Sequence, residues 1–82
     1  MNNAYFVHQV QHNKDNDTWT KGIVIKADPS ADNEAAALQT YHAYLGAYAY
    51  GQHAETDFVS CLISDEEGLV LMSETWKAAE PE

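Results

Sequence analysis

Nucleophilic chemistry in this chain would have to begin at Cys61, its single cysteine. A cysteine attacks as the thiolate, which forms in electropositive, partly open surroundings beside a base. Cys61 stands instead between Ser60 and Leu62 in an apolar run, where a free thiol behaves as a small hydrophobe. Metal chemistry would draw on His53, Glu55 and Asp57, whose alternation sends all three to one side of an extended segment, with His42 a helix length away. Zinc needs three or four convergent ligands, and polar loop residues facing water give the same pattern. His8 and His12 share a strand face but stand roughly 13 Å apart at about 3.3 Å per residue, too far to share an ion. The sequence has no glycine-rich phosphate loop, no Ser-His-Asp spacing and no carboxylate pair in a plausible cleft. The expectation is no catalytic residue, no metal and no cofactor.

The charge balance narrows the partners. Thirteen Asp and Glu face four lysines (Lys14, Lys21, Lys26, Lys77) and no arginine, a net charge of −9 over 82 residues. Phosphate backbones are bound by Lys and Arg that release counterions, and arginine is the bidentate reader of guanine and phosphate. Direct binding of nucleic acid or anionic lipid is excluded on this count. A basic protein would be attracted instead. The run Asp65-Glu66-Glu67, with Glu74, Glu80 and Glu82, reads first as a solvated hairpin tip and tail. Its sharper reading is a carboxylate array imitating phosphates.

The N-terminus, Met1-Asn2-Asn3-Ala4-Tyr5, has neither the basic nor the apolar region of a signal peptide. The uncharged stretch from Ala35 to Ala54 is too polar for a membrane span of about 20 apolar residues. A lone cysteine suits a reducing compartment, so the expected location is cytoplasmic.

Five elements must position these side chains within a single domain. Ala4 to His12 reads as a strand, Asn13 to Asp17 as a turn cluster, and Thr18 to Lys26 as a second strand, together a hairpin. Asp28-Pro29 opens a helix, with Ser30 or Asp32 as alternative caps a few residues later. Leu38, Tyr41, Leu45 and Tyr48 recur on one helix face and Gly51 ends it, giving about 18–22 residues. Thr56 to Ser64 and Leu69 to Trp76 form a second hairpin around Asp65-Glu66-Glu67-Gly68, a type I turn closed by a glycine bulge. The expected fold is α+β, in the order ββαββ: one antiparallel sheet over residues 1–77 with one helix on a face, then an acidic disordered tail over 78–82.

A three-residue loop at Glu66-Glu67-Gly68 sets the expected register. Ile63 then faces Leu71 and Cys61 faces Ser73, while Leu62 with Met72 and Phe58 with Trp76 share the other side with Val70. One helix cannot cover both apolar faces. The back of the helix is also uncharged, with Ala36, Thr40, Ala43, Ala47 and Tyr50. An Ala-rich back can follow from helix propensity alone; it also lets another backbone approach closely. Tyr41, Tyr44, Tyr48 and Tyr50 read equally as a binding stripe or as a flank filling the sheet edge. Two candidate association surfaces follow, one from Ala43, Ala47 and Tyr50, the other from Phe58, Leu62, Met72 and Trp76.

The stretches Tyr5-Phe6-Val7-His8-Gln9-Val10-Gln11, Tyr41-His42-Ala43-Tyr44-Leu45-Gly46-Ala47-Tyr48 and Ser73-Glu74-Thr75-Trp76 resemble short uncharacterised proteins of bacteriophage and prophage genomes. That resemblance implies a virion or accessory part, or an agent acting on a bacterial host protein, and assigns no residue a role. The functional expectation is a non-enzymatic, self-associating interaction module, most simply a homodimer. The alternative is an acidic nucleic-acid mimic that inhibits a basic host defence or nucleic-acid enzyme through Asp65, Glu66 and Glu67.

Overall fold

The structure, a computed structural model, describes residues 3–49 and 54–78. Strands β1 (Tyr5–Asn13) and β2 (Thr18–Lys26) form the first hairpin. Helix α1 (Asn33–Tyr48) follows, then β3 (Thr56–Asp65) and β4 (Val70–Lys77). The four strands make one antiparallel sheet in the order β2-β1-β3-β4. The two hairpins therefore meet through β1 and β3, and α1 carries the chain from one edge strand, across β1, into the middle of the sheet. The expected ββαββ order and α+β class are both present.

Each turn has a chemical cause. In the first, Asn13 Oδ1 accepts the Asp15 amide at 2.9 Å, and Asp17 takes a left-handed backbone (φ 54°), a conformation Asp tolerates better than most residues. In the second, Asp65 Oδ1 accepts the amides of Glu67 and Leu69, and Gly68 supplies the positive φ of 86° that closes the glycine bulge.

The helix begins later than Asp28 and is 16 residues long, shorter than expected. Asp28 is engaged elsewhere. Its Oδ1 accepts both the backbone amide and the hydroxyl of Ser30, each at 2.9 Å, which holds its carboxyl below the usual range. Asp32 caps instead, accepting the Ala35 amide at 3.1 Å. Buried Asn33, the first helical residue, pins the loop: its Oδ1 accepts the Asp28 amide, and its Nδ2 donates to the carbonyls of Asn3 and Asp28. Asn33→Ala strands all three backbone groups and should cost about 2–3 kcal/mol in urea unfolding.

The helix packs over β3 and β1 and reaches β2. Ala37, Tyr41, Leu45 and Ala49 form its buried stripe, against Val7, Val59, Cys61 and Ile63 of the sheet. Leu38 and Tyr48, expected at the centre of that face, lie at its border with Tyr44. A spacing of four advances about 40° around the helix at each step, so the buried stripe winds away from the nearly axial line of the alternating three and four in the sequence pattern and takes in small Ala37 and Ala49.

The β3–β4 register departs from expectation within one residue of a correctly read turn. Ser64 pairs with Val70, but Ile63 pairs with Met72, so Leu71 is an extra residue and every pairing beyond it shifts by one. Cys61 thus faces Glu74, Leu62 faces Ser73 and Val59 faces Trp76. The expected quartet of Phe58, Leu62, Met72 and Trp76 is split. Met72 and Trp76 turn to the helix side, where Trp76 packs against the core, while Phe58 and Leu62 stay on the opposite side.

Candidate functional site

Strand alternation assigns each side chain to the helix side or the open side of the sheet. Val7, Val59, Cys61 and Ile63 fix the helix side. The open side then carries four rows, taken from β4 to β2. They are Lys77-Phe58-His12-Trp19, Thr75-Ser60-Val10-Lys21, Ser73-Leu62-His8-Ile23 and Val70-Ser64-Phe6-Ile25.

No carboxylate occurs in these rows, although the chain carries thirteen. The only formal charges are Lys21 and Lys77 at opposite edges. Half of the positions are apolar: Phe6, Val10, Trp19, Ile23, Ile25, Phe58, Leu62 and Val70. They concentrate on β1 and β2, while Ser60, Ser64, Ser73 and Thr75 give β3 and β4 a small, uncharged character. Trp19 and Ile25 are each 61% exposed, Ile23 51% and Val70 52%. Contiguous apolar surface of this kind is uncommon on a monomer.

Both histidines on this face have polar partners. His8 Nε2 lies 3.0 Å from Ser64 Oγ. At the far end the His12 ring lies between two carboxylates: Nδ1 is 2.6 Å from Asp57 Oδ1 and Nε2 is 2.7 Å from Asp17 Oδ1. Asp57 reaches His12 because a register shift after His12 pairs Asn13 with Thr56 and leaves Asp57 out of the ladder. Trp19 packs on the His12 ring with centroids 4.6 Å apart and meets Phe58 edge-on at 5.4 Å.

The other candidate residues are not brought together. Ala43 is exposed on the helix back and Ala47 is half-buried, while Tyr50 lies outside the described residues. Tyr41, Tyr44 and Tyr48 pack on the core, and the Tyr44 hydroxyl donates to Gln11 Oε1 at 3.1 Å. Burial pushes that phenol up to about 12. Tyr41, Tyr44 and Tyr48 therefore fill the flank of the helix against the sheet. The acidic run is also partly committed: Asp65 shapes its own turn, and Glu66 Oε2 accepts the Ala4 amide at 2.8 Å. Of the three, only Glu67 is left with no such role at the hairpin tip.

Cys61 is buried, and desolvation, with Glu74 adding to it, pushes its thiol up to about 11, far from a thiolate at neutral pH. Among the described residues no three His, Cys, Asp or Glu side chains are placed to hold a metal ion, and no helix is long and apolar enough to cross a membrane. His53 lies outside the described residues. A cleft of about 550 Å³ beside the start of α1 is wide open and lined by Asp32, Asn33 and Glu34. Its two carboxylates disfavour an anion at the helix N-terminus.

The open face was only half legible in the sequence. Phe58 and Leu62 belong to it, but its larger share comes from Trp19, Ile23 and Ile25 of β2, with Phe6 and Val10 of β1. The signal was present in β2: Trp19, Ile23 and Ile25 share one parity while Val24, the inward residue, has the other. The chain matches no protein-family model, no curated protein and no solved structure, so the resemblance to phage-encoded proteins gains no support from them.

Proposed function

We propose that the protein is a non-enzymatic interaction module that pairs with a second copy of itself through the open face of its sheet. The observation that carries this reading is the separation of charge: eight apolar side chains share a face whose ladder positions hold no carboxylate, on a chain of net charge −9, and the two carboxylates at its end, Asp17 and Asp57, are both engaged by His12.

Geometry supports a second copy as the occupant. Four strands at about 4.8 Å spacing and eight residues at about 3.3 Å rise give a face of roughly 19 by 27 Å. That is a flat footprint of about 500 Å², which side-chain relief brings toward the roughly 800 Å² per partner of a standard interface. A twofold pairing requires the same patch on both copies. With the axis lying across the strands, the apolar β1–β2 half of one copy meets that of the other, as in the stacked layers of a sandwich. The helices and the acidic turns then point away from each other. The elements at the interface also match those that one helix leaves uncovered. Such a dimer serves as an adaptor or structural subunit rather than as a catalyst.

Salt dependence tests the reading. Each copy brings nine excess negative charges to the pair, and salt screens their repulsion without weakening apolar contact. Light scattering at about 100 μM should show a dimer whose dissociation constant falls as NaCl rises from about 0.05 to 0.5 M, where the Debye length has shrunk to a few ångströms. A monomer throughout that range overturns the reading. Capture of a basic partner that salt releases would point to acidic mimicry instead.

A further inference from the structure

We propose that His12 is a proton-operated latch on this interface: its imidazolium ties Asp17 to Asp57 at one end of the open face and holds Trp19 in place for pairing between copies. The proposal rests on the self-association reading above and names its regulation.

The geometry requires the proton. Both ring nitrogens lie within 2.7 Å of carboxylate oxygens, which at neutral pH only accept hydrogen bonds. A neutral imidazole has one N–H, so one of the two contacts would set a nitrogen lone pair against a carboxylate. Only the imidazolium donates to both. The same charge lies 4.6 Å from the Trp19 ring, within reach of a cation–π attraction. Two carboxylates from different elements, one in the β1–β2 turn and one at the start of β3, are thus joined through a single proton-bearing ring.

The surroundings leave few competing charges. Asp17 faces the ring from the turn and Asp57 from β3, while β2 contributes Trp19 and β3 also contributes Phe58, both uncharged. Lys77 of β4 stands in the same row beyond Phe58. Lys14 and Glu55 meet across the neighbouring strand ends through their backbones at 2.8 Å. The helix lies on the other side of the sheet. The hydrogen bonds to Asp17 and then Asp57 outweigh desolvation and raise the His12 pKa above 6.5.

The sign follows from that direction. A folded-state pKa raised above the unfolded value gives a contribution that is full below about 6.5 and is lost as pH rises through the folded value. Losing the proton frees the Asp17 turn and unseats Trp19. It also leaves two uncompensated carboxylates beside a face that otherwise has none. Association should therefore weaken on the alkaline side.

Sedimentation velocity of the full chain at pH 6 and pH 8.5, in about 0.15 M salt, is the test. The wild type should dissociate about threefold to tenfold more readily at pH 8.5, since each unit of pKa difference between dimer and monomer is worth tenfold. His12→Gln, which keeps one donor but carries no charge, should show no such change. His8→Gln, on the same face, should retain it. Asp17→Asn preserves the left-handed turn and removes one carboxylate without touching a strand, so the NMR titration midpoint of the His12 ring should fall in that variant. A dimer whose strength is the same at both pH values overturns the latch alone, as does a pH dependence that survives His12→Gln. A monomer at both pH values overturns the self-association reading, and the latch with it. A His12 midpoint at or below 6.5 in a wild-type dimer overturns the latch and leaves the dimer standing.

Discussion

Glutamate at both Ile23 and Ile25 should convert the protein to a monomer while leaving its fold intact. Both side chains are more than half exposed in the single chain, so the substitutions remove little from the core. In the pair they lie in the apolar half of the open face, where burying an Ile contributes about 1.5–3 kcal/mol. Two such losses, with carboxylates added to rows that have none, should weaken association by at least about 100-fold. Ala43→Glu, on the helix back, is the matched comparison and should leave association within about threefold, the scale of an ordinary surface change. Circular dichroism should show both proteins folded. Their unfolding midpoints should differ in one respect: that of the wild type should rise with protein concentration, because pairing stabilises the folded state by mass action. In the double variant that concentration dependence should vanish.

Ile63→Ala should produce the largest loss of stability. Ile63 is 1% exposed, lies opposite Val7 and Met72 in the ladder, and belongs to the cluster that the helix covers. Truncating such a residue costs about 2–5 kcal/mol through lost transfer energy and the cavity left behind. A chain of this length has about 4–12 kcal/mol in total, so the variant should melt roughly 10–30 °C lower. The neighbouring residue behaves oppositely. Leu62 points to the open face, and Leu62→Glu should act mainly on association. Thermal melts and light scattering at matched concentration separate the two. Adjacent residues with different defects are what a sheet with one covered and one pairing face requires.

That one-residue distinction is also where sequence reasoning reached its limit. The second hairpin's turn was legible because Asp65 and Gly68 have specific tasks there. The register beyond it was not, because Val70-Leu71-Met72 is apolar at every position and gives no alternation by which to detect an extra residue. A bulge at Leu71 therefore moved Met72 and Trp76 to the other face without any local sign. The helix start was ambiguous for a related reason. Asp28, Ser30 and Asp32 are all good caps, and the choice depends on Asp28 being engaged by Ser30 and on Asn33 binding Asn3, a residue 30 positions away. The His12 cluster was the least visible part. Asp17 was readable as a turn residue, but Asp57 is 45 positions distant and reaches the ring only through a local break in the β1–β3 ladder. By contrast, the two hairpins, the single helix and the burial of Cys61 all followed from alternation, turn chemistry and the apolar run in which the thiol stands.

The most direct measurement of the central claim is an isotope-filtered NOE experiment on a mixture of labelled and unlabelled protein, read at the methyl groups. Pairing through the open face predicts contacts between copies from the methyls of Ile23, Ile25, Val10 and Leu62 and the ring of Trp19, with the methyls of Ala43 silent. Contacts between copies that arise instead from Ala43 and Ala47, or the absence of any such contact at about 1 mM protein, a concentration that reveals association as weak as about −4 kcal/mol, would contradict it.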